Sequence, residues 1–412
     1  MRASQLKISF QMYYGWWIVI GMFGVLTVSS GFGFYNLSVY LNVLVRDTGF
    51  PVSAVSFALT LFFLIGGVGG IAIARLLNVV SIRQLMIGGA LLGGLSLAMA
   101  SQVGSLGEIY LWFSLFGLGN CAVSIVVSTT LITRWFPGAN RSIALSVAST
   151  GLSFGGIVIT PLSAWVIDQY GYVQSMQWFG AAFFLFTLPV VLLIIRNPPT
   201  MASDSLHVQQ TLAGWSYNKA LKSRFFWVVS AAFVFCMGAQ VGGISHLFNR
   251  AETAFGLGTA TLAIQGLTLC SITGRLLGGW IVMYLPIRGF TIGCAVVQGL
   301  GLGIIAVADN PALLLAGAAC FGAALGNLLM LHPLWLAEVF GNKDYPRIFA
   351  LSHAVSVLGV ASGPFVLGFV HDSFDYSASY LAASSLALFA VSLFVLAGRT
   401  SNVRLSASPE SP

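Results

Sequence analysis

Long apolar runs separated by short polar connections dominate this 412-residue chain. A membrane-crossing helix needs about 20 mostly apolar residues, whereas a transmembrane strand shows only about ten residues of alternating polarity. The pattern therefore predicts an all-α membrane protein with twelve transmembrane helices. The predicted spans are residues 14–40, 53–74, 84–102, 109–133, 142–167, 176–195, 225–248, 260–283, 290–308, 311–336, 347–370 and 378–398.

One long polar stretch divides these spans six and six. Residues 197–224 carry two prolines, His207 and several Ser and Gln residues, and they predict a cytoplasmic linker between an N-terminal six-helix bundle, 1–196, and a C-terminal six-helix bundle, 225–412. Similar strings precede the fifth and eleventh spans, where Arg141-Ser-Ile-Ala-Leu-Ser matches Arg347-Ile-Phe-Ala-Leu-Ser. Repeated six-helix units of this kind are typical of transporters.

The charged residues predict the orientation of the chain. Only 7% of residues are charged, against about 25% in soluble proteins. Fifteen of the eighteen Lys and Arg residues fall on one side of the predicted spans. The positive-inside rule then places both termini in the cytoplasm of a multi-pass protein in the plasma membrane, or in the inner membrane of a Gram-negative cell. Because these cations are spread over every inner loop, the net charge of +7 does not indicate a nucleic-acid partner.

Motifs of catalysis and cofactor binding are missing from the sequence. The five cysteines lie in apolar segments without paired spacing, which indicates neither a disulfide framework nor a metal site. We find no phosphate-binding loop, no HExxH motif and no paired carboxylates at bilayer depth. The sequence therefore predicts no enzyme activity and no cofactor.

Arg275 stands alone in the apolar run from Leu262 to Val282. An ionised side chain at the centre of a bilayer costs roughly 2.5–3.5 kcal/mol on insertion scales, so it indicates a polar pathway or an anionic partner. A guanidinium matches a carboxylate through two parallel hydrogen bonds, and one cation favours a monoanion. A snorkelling or interhelical arginine is the alternative structural role. Ser271, one turn before Arg275, either donates to the same substrate or bonds its own backbone.

Further polar residues within the spans are candidates for the same pocket. Each has a structural alternative, because buried amides often join helices and buried aromatic or imidazole rings often serve in packing. His332 and His353 are also the intramembrane groups that titrate near neutral pH, and they are candidates for carrying a coupling proton. The predicted substrate-binding residues besides Arg275 and Ser271 are Asn120, Asn327, Tyr35 and His353.

Several local strings resemble one transporter family. Tyr14-Gly-Trp-Trp opens the first span, Trp135-Phe136 follows the fourth, and Gly274-Arg275 with Gly278-Gly279 lies in the eighth. They are similar to strings of the monocarboxylate porter and oxalate/formate antiporter branch of the major facilitator superfamily. The resemblance implies two six-helix bundles around a central cavity and transport of small organic anions.

The chain also departs from that family pattern. Asn78 stands where the signature between the second and third spans usually carries an aspartate. By the same resemblance, Ser271 replaces the aspartate that is implicated in proton coupling in monocarboxylate transporters. The eleventh span has His353 in a region where the antiporters carry a lysine.

These features together predict a secondary active transporter that moves a small monocarboxylate by alternating access within a lipid bilayer. Arg275 would bind the carboxylate, and a proton is the candidate coupling ion. Two alternatives stay open. One is an efflux carrier for a larger amphipathic or aromatic compound, and the other is a membrane protein that senses a carboxylate without transporting it.

Overall fold

The structure is all-α, in agreement with the sequence-based prediction. The computed structural model describes residues 14–76, 79–136, 141–196, 214–341 and 343–398, in which eleven helical stretches are long and apolar enough to cross a membrane. Nothing is described for Asn78 or for residues 197–213 of the predicted linker. The helices are α1 (Tyr14–Ser30), α2 (Asn36–Thr48), α3 (Val52–Leu76), α4 (Ile82–Met99), α5 (Leu106–Cys121), α6 (Ile125–Trp135), α7 (Arg141–Tyr170), α8 (Tyr172–Leu193), α9 (Tyr217–Leu221), α10 (Arg224–Phe255), α11 (Leu257–Ile281), α12 (Ile287–Val307), α13 (Pro311–Phe340), α14 (Tyr345–Ser373) and α15 (Tyr376–Leu396).

The fourth predicted span, 109–133, is interrupted. Helix α5 ends at Cys121 and α6 begins at Ile125, so two short helices make the crossing that the sequence pattern assigned to one. At the break the Ser124 hydroxyl donates to the Cys121 carbonyl at 2.9 Å. A serine that bonds nearby backbone competes with the helical ladder, which accounts for the turn at this position.

The first span contains a local change of helical pitch. Residues Gly31–Tyr35 form a π-helical segment that joins α1 to α2, and the whole stretch runs unbroken from Tyr14 to Thr48. Such single-turn π segments often occur at functional sites. Here the segment ends at Tyr35, which is buried.

The two halves of the chain, 14–196 and 214–398, repeat one arrangement of helices. In the first half α1 packs on α7, α3 on α5 and α4 on α8, and in the second half α10 packs on α14, α11 on α13 and α12 on α15. One side-chain bond repeats as well. Arg83 at the start of α4 donates to the Ile195 carbonyl, and Arg288 at the start of α12 donates to the Val395 carbonyl. In both halves, an arginine at the start of one helix thus attaches it to the end of a neighbouring helix.

The chain enters the second half just after the undescribed part of the predicted linker. The Trp215 N–H donates to the Phe340 carbonyl at 2.8 Å, and the Tyr217 N–H donates to an Asp344 carboxylate oxygen at 2.8 Å. These bonds attach α9 to the ends of α13 and α14. Residues 214–221 therefore belong structurally to the second half.

Many of the contacts between the halves lie toward one end of the molecule. We call the end that holds Tyr14 and Leu396 the terminal end and the opposite end the distal end. At the distal end the Asp372 carboxylate of α14 accepts the N–H groups of Val52 and Ser53, at 3.1 and 2.7 Å, where α3 begins. One turn further along α3, the Ser56 hydroxyl lies 3.5 Å from Nε2 of His246 on α10.

Glycines line the seams where the halves meet. A Cβ on Gly67 of α3 would lie 2.8 Å from Val357 of α14, and one on Gly156 of α7 would lie 2.3 Å from Thr268 of α11. A Cβ on Gly368 would lie 2.6 Å from the Ser56 hydroxyl. Small residues permit such close approach of helices within a membrane. The halves are therefore in direct contact from the distal end to about the middle of the helices.

Candidate substrate-binding site

Arg275 lies on α11 at the middle depth of the second half. Its Nε lies 3.1 Å from where a Cβ of Gly326 would be, and Gly326 is the sixteenth residue of the thirty-residue helix α13. The glycine leaves room for the guanidinium stem between α11 and α13. Arg275 as a whole is partly exposed, while its Nε is buried in this niche.

The charge of Arg275 is not neutralised within the described ranges. Its Nε is buried without a hydrogen-bond partner there, and the ion pairs found in those ranges, Arg46–Asp47 and His371–Asp372, lie at the distal end. A guanidinium with an unpaired Nε and no carboxylate partner can bind an anion without first breaking an internal ion pair.

Three polar residues form a stripe along one face of α11. Thr268, Ser271 and Arg275 are spaced by three and four residues, which places them on the same side of a helix. Thr268 and Ser271 are fully buried, and the Ser271 hydroxyl has no hydrogen-bond partner in the described part of the chain. Arg275 lies about 10 Å from Thr268 along the helix axis, toward the terminal end. The stripe therefore leads from the contact between the halves to the guanidinium.

Tyr35 faces this stripe from the first half. Its ring lies 2.9 Å from where a Cβ of Gly156 would be, beside the contact between Gly156 and Thr268. Ser153, one turn earlier on α7, lies next to the Tyr35 hydroxyl. Tyr35 therefore faces α11 from the opposite half, at the distal end of the stripe that leads to Arg275.

The two asparagines occupy helix contacts in opposite halves. Asn120 accepts a hydrogen bond at 2.8 Å from the Ser29 hydroxyl of the first span and packs against Gly33. Asn327 donates to the Ala323 carbonyl at 3.0 Å, and its Oδ1 lies against Gly278 of α11 without a hydrogen-bond partner among the described residues. Asn120 thus joins α5 to the first span, whereas Asn327 retains a free acceptor one residue from the Gly326 niche.

His332 and His353 have different surroundings. The His332 Nε2 lies 2.8 Å from the Ser352 hydroxyl, which lies 2.7 Å from the Ser230 hydroxyl, and the ring stacks on Phe233 at 3.9 Å. His353 is exposed, and its ring stacks on Phe349 at 5.6 Å. His332 therefore takes part in a buried hydrogen-bond network, while His353 is accessible.

The structure brings in residues that the sequence pattern did not single out. Ser153 and Gly156 of α7 lie next to Tyr35. Thr268 is the residue of the α11 stripe that lies nearest the distal end. The signal that could have pointed to Gly156 is the Gly155-Gly156 pair inside a span, because paired glycines mark close helix approach. Nothing in the sequence marks Ser153, whose role follows from the packing of α7 against the first span.

Comparisons with known proteins agree with this architecture. A bacterial homologue of the human lysosomal transporter Spinster, in an inward-facing and occupied conformation, superposes with a TM-score of 0.75 over 97% of this chain and 99% of that one, at 15% identity. At such identity the similarity shows the fold alone.

Curated relatives are distant, and each matches only part of the chain. "MFS-type transporter pynF" of Aspergillus niger is 28% identical over 190 residues, which cover 45% of this chain and 42% of that protein. Monocarboxylate transporter 13 of Bos taurus is 22% identical over 314 residues, 74% of this chain and 71% of that protein. The hexuronate transporter of Escherichia coli is 22% identical over 273 residues, 60% of this chain and 62% of that protein.

A family profile covers most of the chain. The match runs over residues 23–288, from within the first span into the start of α12, and so includes most of the first half together with the helix that carries Arg275. Because this match covers more than half of the chain, the chain belongs to the Major Facilitator Superfamily.

Proposed function

We propose that this protein is a secondary active transporter that moves a small monocarboxylate by alternating access, with Arg275 as the residue that binds the carboxylate. The observation that carries the proposal is the guanidinium in the Gly326 niche, whose Nε has no partner among the described residues. The names of two relatives, a monocarboxylate transporter and a hexuronate transporter, support a carboxylate as the substrate class.

The pocket would lie between the halves, on the terminal side of the contact between Gly156 and Thr268. Arg275 would form two parallel hydrogen bonds to the carboxylate, and Tyr35 would donate to it from the other half. The remaining predicted residues, Ser271, Asn327 and His353, would complete the lining, while Asn120 would hold the first span in place. One cation favours a monoanion, because a second negative charge would stay uncompensated in a low-dielectric site.

The orientation and the membrane are part of the same proposal. Basic residues at the terminal end indicate that this end lies in the cytoplasm, with the protein in the plasma membrane or a bacterial inner membrane. The distal contacts would then close the outer side. A coupling proton would be carried by His353, which is accessible, or by His332, whose hydrogen-bond network would have to rearrange.

Stacked rings on α14 favour a second candidate, a larger aromatic or amphipathic substrate. Tyr345, Phe349 and His353 follow each other at four-residue spacing, with ring centroids 5.9 and 5.6 Å apart. The exposed His353 ring ends this stack. An aromatic ring of a substrate could stack on this surface. Transport assays should therefore include aromatic acids.

Counterflow in proteoliposomes tests the proposal. Proteoliposomes that contain the purified protein would be loaded with unlabelled acid, and labelled C1 to C4 or aromatic monocarboxylates would be added outside, over a range of pH. We expect Arg275→Ala to weaken substrate binding about tenfold to a hundredfold, because hydrogen bonds to charged groups contribute about 1.5–3 kcal/mol. Arg275→Lys should be intermediate, since an ammonium keeps the charge but loses the planar fork.

The matched control is Arg46→Ala, which removes an exposed arginine at the distal end that pairs with its neighbour Asp47. This variant should transport as the wild type does. Wild-type transport by the Arg275→Ala variant would disprove the carboxylate role of Arg275. A rate that does not depend on pH in the wild type would remove both histidines as proton carriers.

A further inference from the structure

A basic cavity lies at the terminal end of the first half, between the start of α4 and the end of α8. Its volume is about 530 Å³, and Ser81, Arg83, Leu192, Ile195 and Arg196 line it. It lies apart from the candidate substrate site, at the membrane-surface end of two peripheral helices. Two guanidinium groups in one cavity are characteristic of an anion site.

Neighbouring groups hold both arginines in place. Arg83 donates from Nε and Nη2 to the Ile195 carbonyl and from Nη2 to the Leu192 carbonyl, at 2.9–3.2 Å, which leaves Nη1 for a ligand. The Arg196 guanidinium lies over the Tyr14 ring, 5.3 Å from its centroid. The Arg196 carbonyl accepts a hydrogen bond from Nε1 of Trp135 at 2.9 Å. Because both arginine side chains already have partners, binding an anion here would cost little additional side-chain conformational entropy.

Neither arginine has an acidic partner in the described ranges. The ion pairs found there lie at the distal end, on the other side of the membrane-spanning region. The carbonyls at the end of α8 offset only part of the Arg83 charge, because a helix end carries about half an elementary charge. The cavity therefore keeps a net positive charge.

An apolar surface leads away from this cavity along α8. Leu192 lines the cavity and is 46% exposed, and Leu185, seven residues earlier on the same helix face, is 61% exposed. In a bilayer such residues contact acyl chains. A cationic cavity at the headgroup level with an exposed apolar stripe beside it matches the two ends of a phospholipid.

We propose that this cavity binds the phosphate headgroup of an anionic phospholipid, with Arg83 and Arg196 holding the phosphate and Leu185 and Leu192 contacting an acyl chain. A guanidinium forms paired hydrogen bonds with phosphate oxygens, as it does with carboxylates. The site would fix the end of α8 to the membrane surface. This role is independent of which substrate is transported.

The test measures lipid retention and thermal stability of the purified full-length protein. The protein would be delipidated and then supplied with dioleoyl phosphatidylglycerol, with dioleoyl phosphatidylcholine, or with inorganic phosphate at millimolar concentration. We expect phosphatidylglycerol to remain bound in native mass spectra and to raise the Tm, whereas the other two ligands should do neither. Arg196→Gln should weaken phosphatidylglycerol binding about fivefold, which corresponds to about 1 kcal/mol for one juxtamembrane cation.

Two further variants make the result decisive. Arg83→Gln removes bonds to α8 and lowers stability by itself, so Arg196→Gln is the primary variant. Arg224→Gln removes an exposed arginine that begins α10 and does not line the cavity, and this variant should bind phosphatidylglycerol as the wild type does. The proposal is wrong if Arg196→Gln and Arg224→Gln bind the lipid equally well. Equal protection by inorganic phosphate would identify a free-phosphate site and would overturn the lipid assignment.

Discussion

The carboxylate of Asp372 caps a helix of the opposite half, and replacing it should open the distal end. Its two oxygens accept the N–H groups of Val52 and Ser53 at 3.1 and 2.7 Å, where α3 begins. The first N–H groups of a helix have no partner within the helix, and the helix dipole favours a negative charge near them. The capping group comes from the other half, so these bonds exist only while the distal end is closed.

The change Asp372→Asn removes the charge and one of the two acceptors but keeps the size of the side chain. Hydrogen bonds to charged groups contribute about 1.5–3 kcal/mol, and the Asp372 side chain is 25% exposed, which places its contribution at the lower end of that range. A loss of about 1–2 kcal/mol changes the ratio of two states by about fivefold to thirtyfold. We therefore expect a large rise in the population that is open at the distal end.

Spin labels on opposite halves report this population directly. Gln102 and Phe374 are both exposed at the distal end, one in each half, and would be changed to cysteine in a background without the five native cysteines. Double electron–electron resonance of the reconstituted protein should show mainly the short, closed distance in the wild type. The Asp372→Asn variant should add a longer distance.

A matched control separates gating from general destabilisation. Asp375 caps α15 within its own half by accepting the Ala378 N–H at 2.7 Å, so Asp375→Asn makes the same chemical change at the same end of the molecule. It should lower the Tm without altering the distance distribution. An unchanged distance distribution in Asp372→Asn, or an equal shift in Asp375→Asn, would refute the role of Asp372 in holding the distal end closed.

Two further predictions concern packing between helices. Gly156→Val should prevent full closure, because a Cβ at this position would lie 2.3 Å from Thr268, and the same spin-label pair should report the longer distance. Ser352→Ala should lower the free energy of unfolding by about 1–3 kcal/mol, because it leaves His332 and Ser230 without their shared partner. His353→Gln at an exposed position should leave the Tm almost unchanged, and a drop as large as that of Ser352→Ala would contradict the assigned environments.

The sequence predicted the helices well because length and apolarity are local properties. A run such as 311–336 has to form its hydrogen bonds internally within a bilayer, so its helical state follows from composition. The break in the fourth span was not predicted, since 109–133 contains no charged residue and no proline, and the turn depends on where Ser124 bonds. Arg275 was recognisable because a lone charge in an apolar run is costly wherever its neighbours lie.

The contacts of Arg275 could not be predicted in the same way. Gly326 approaches it from α13 and Tyr35 faces its helix from the other half, and neither helix pairing is encoded near Arg275 in the chain. The same holds for Asp372, which lies 320 positions from Val52 and looks like an ordinary interfacial aspartate in the sequence. Long-range partners depend on the packing of whole helices, which a local pattern does not contain.

If Arg275 binds the substrate as proposed, its position would couple substrate binding to the conformational change. Its guanidinium lies on the terminal side of the Gly156–Thr268 contact, so in this state a route to it would run from the terminal end. In the opposite state the terminal end would be closed. The unpaired charge of the Arg275 guanidinium would then lose its contact with water. A bound carboxylate would pair with the charge and reduce this desolvation cost. A buried charge that lacks its partner costs about 3–5 kcal/mol. The empty protein should therefore cross between states far more slowly than the loaded one, which favours exchange of anions over leakage.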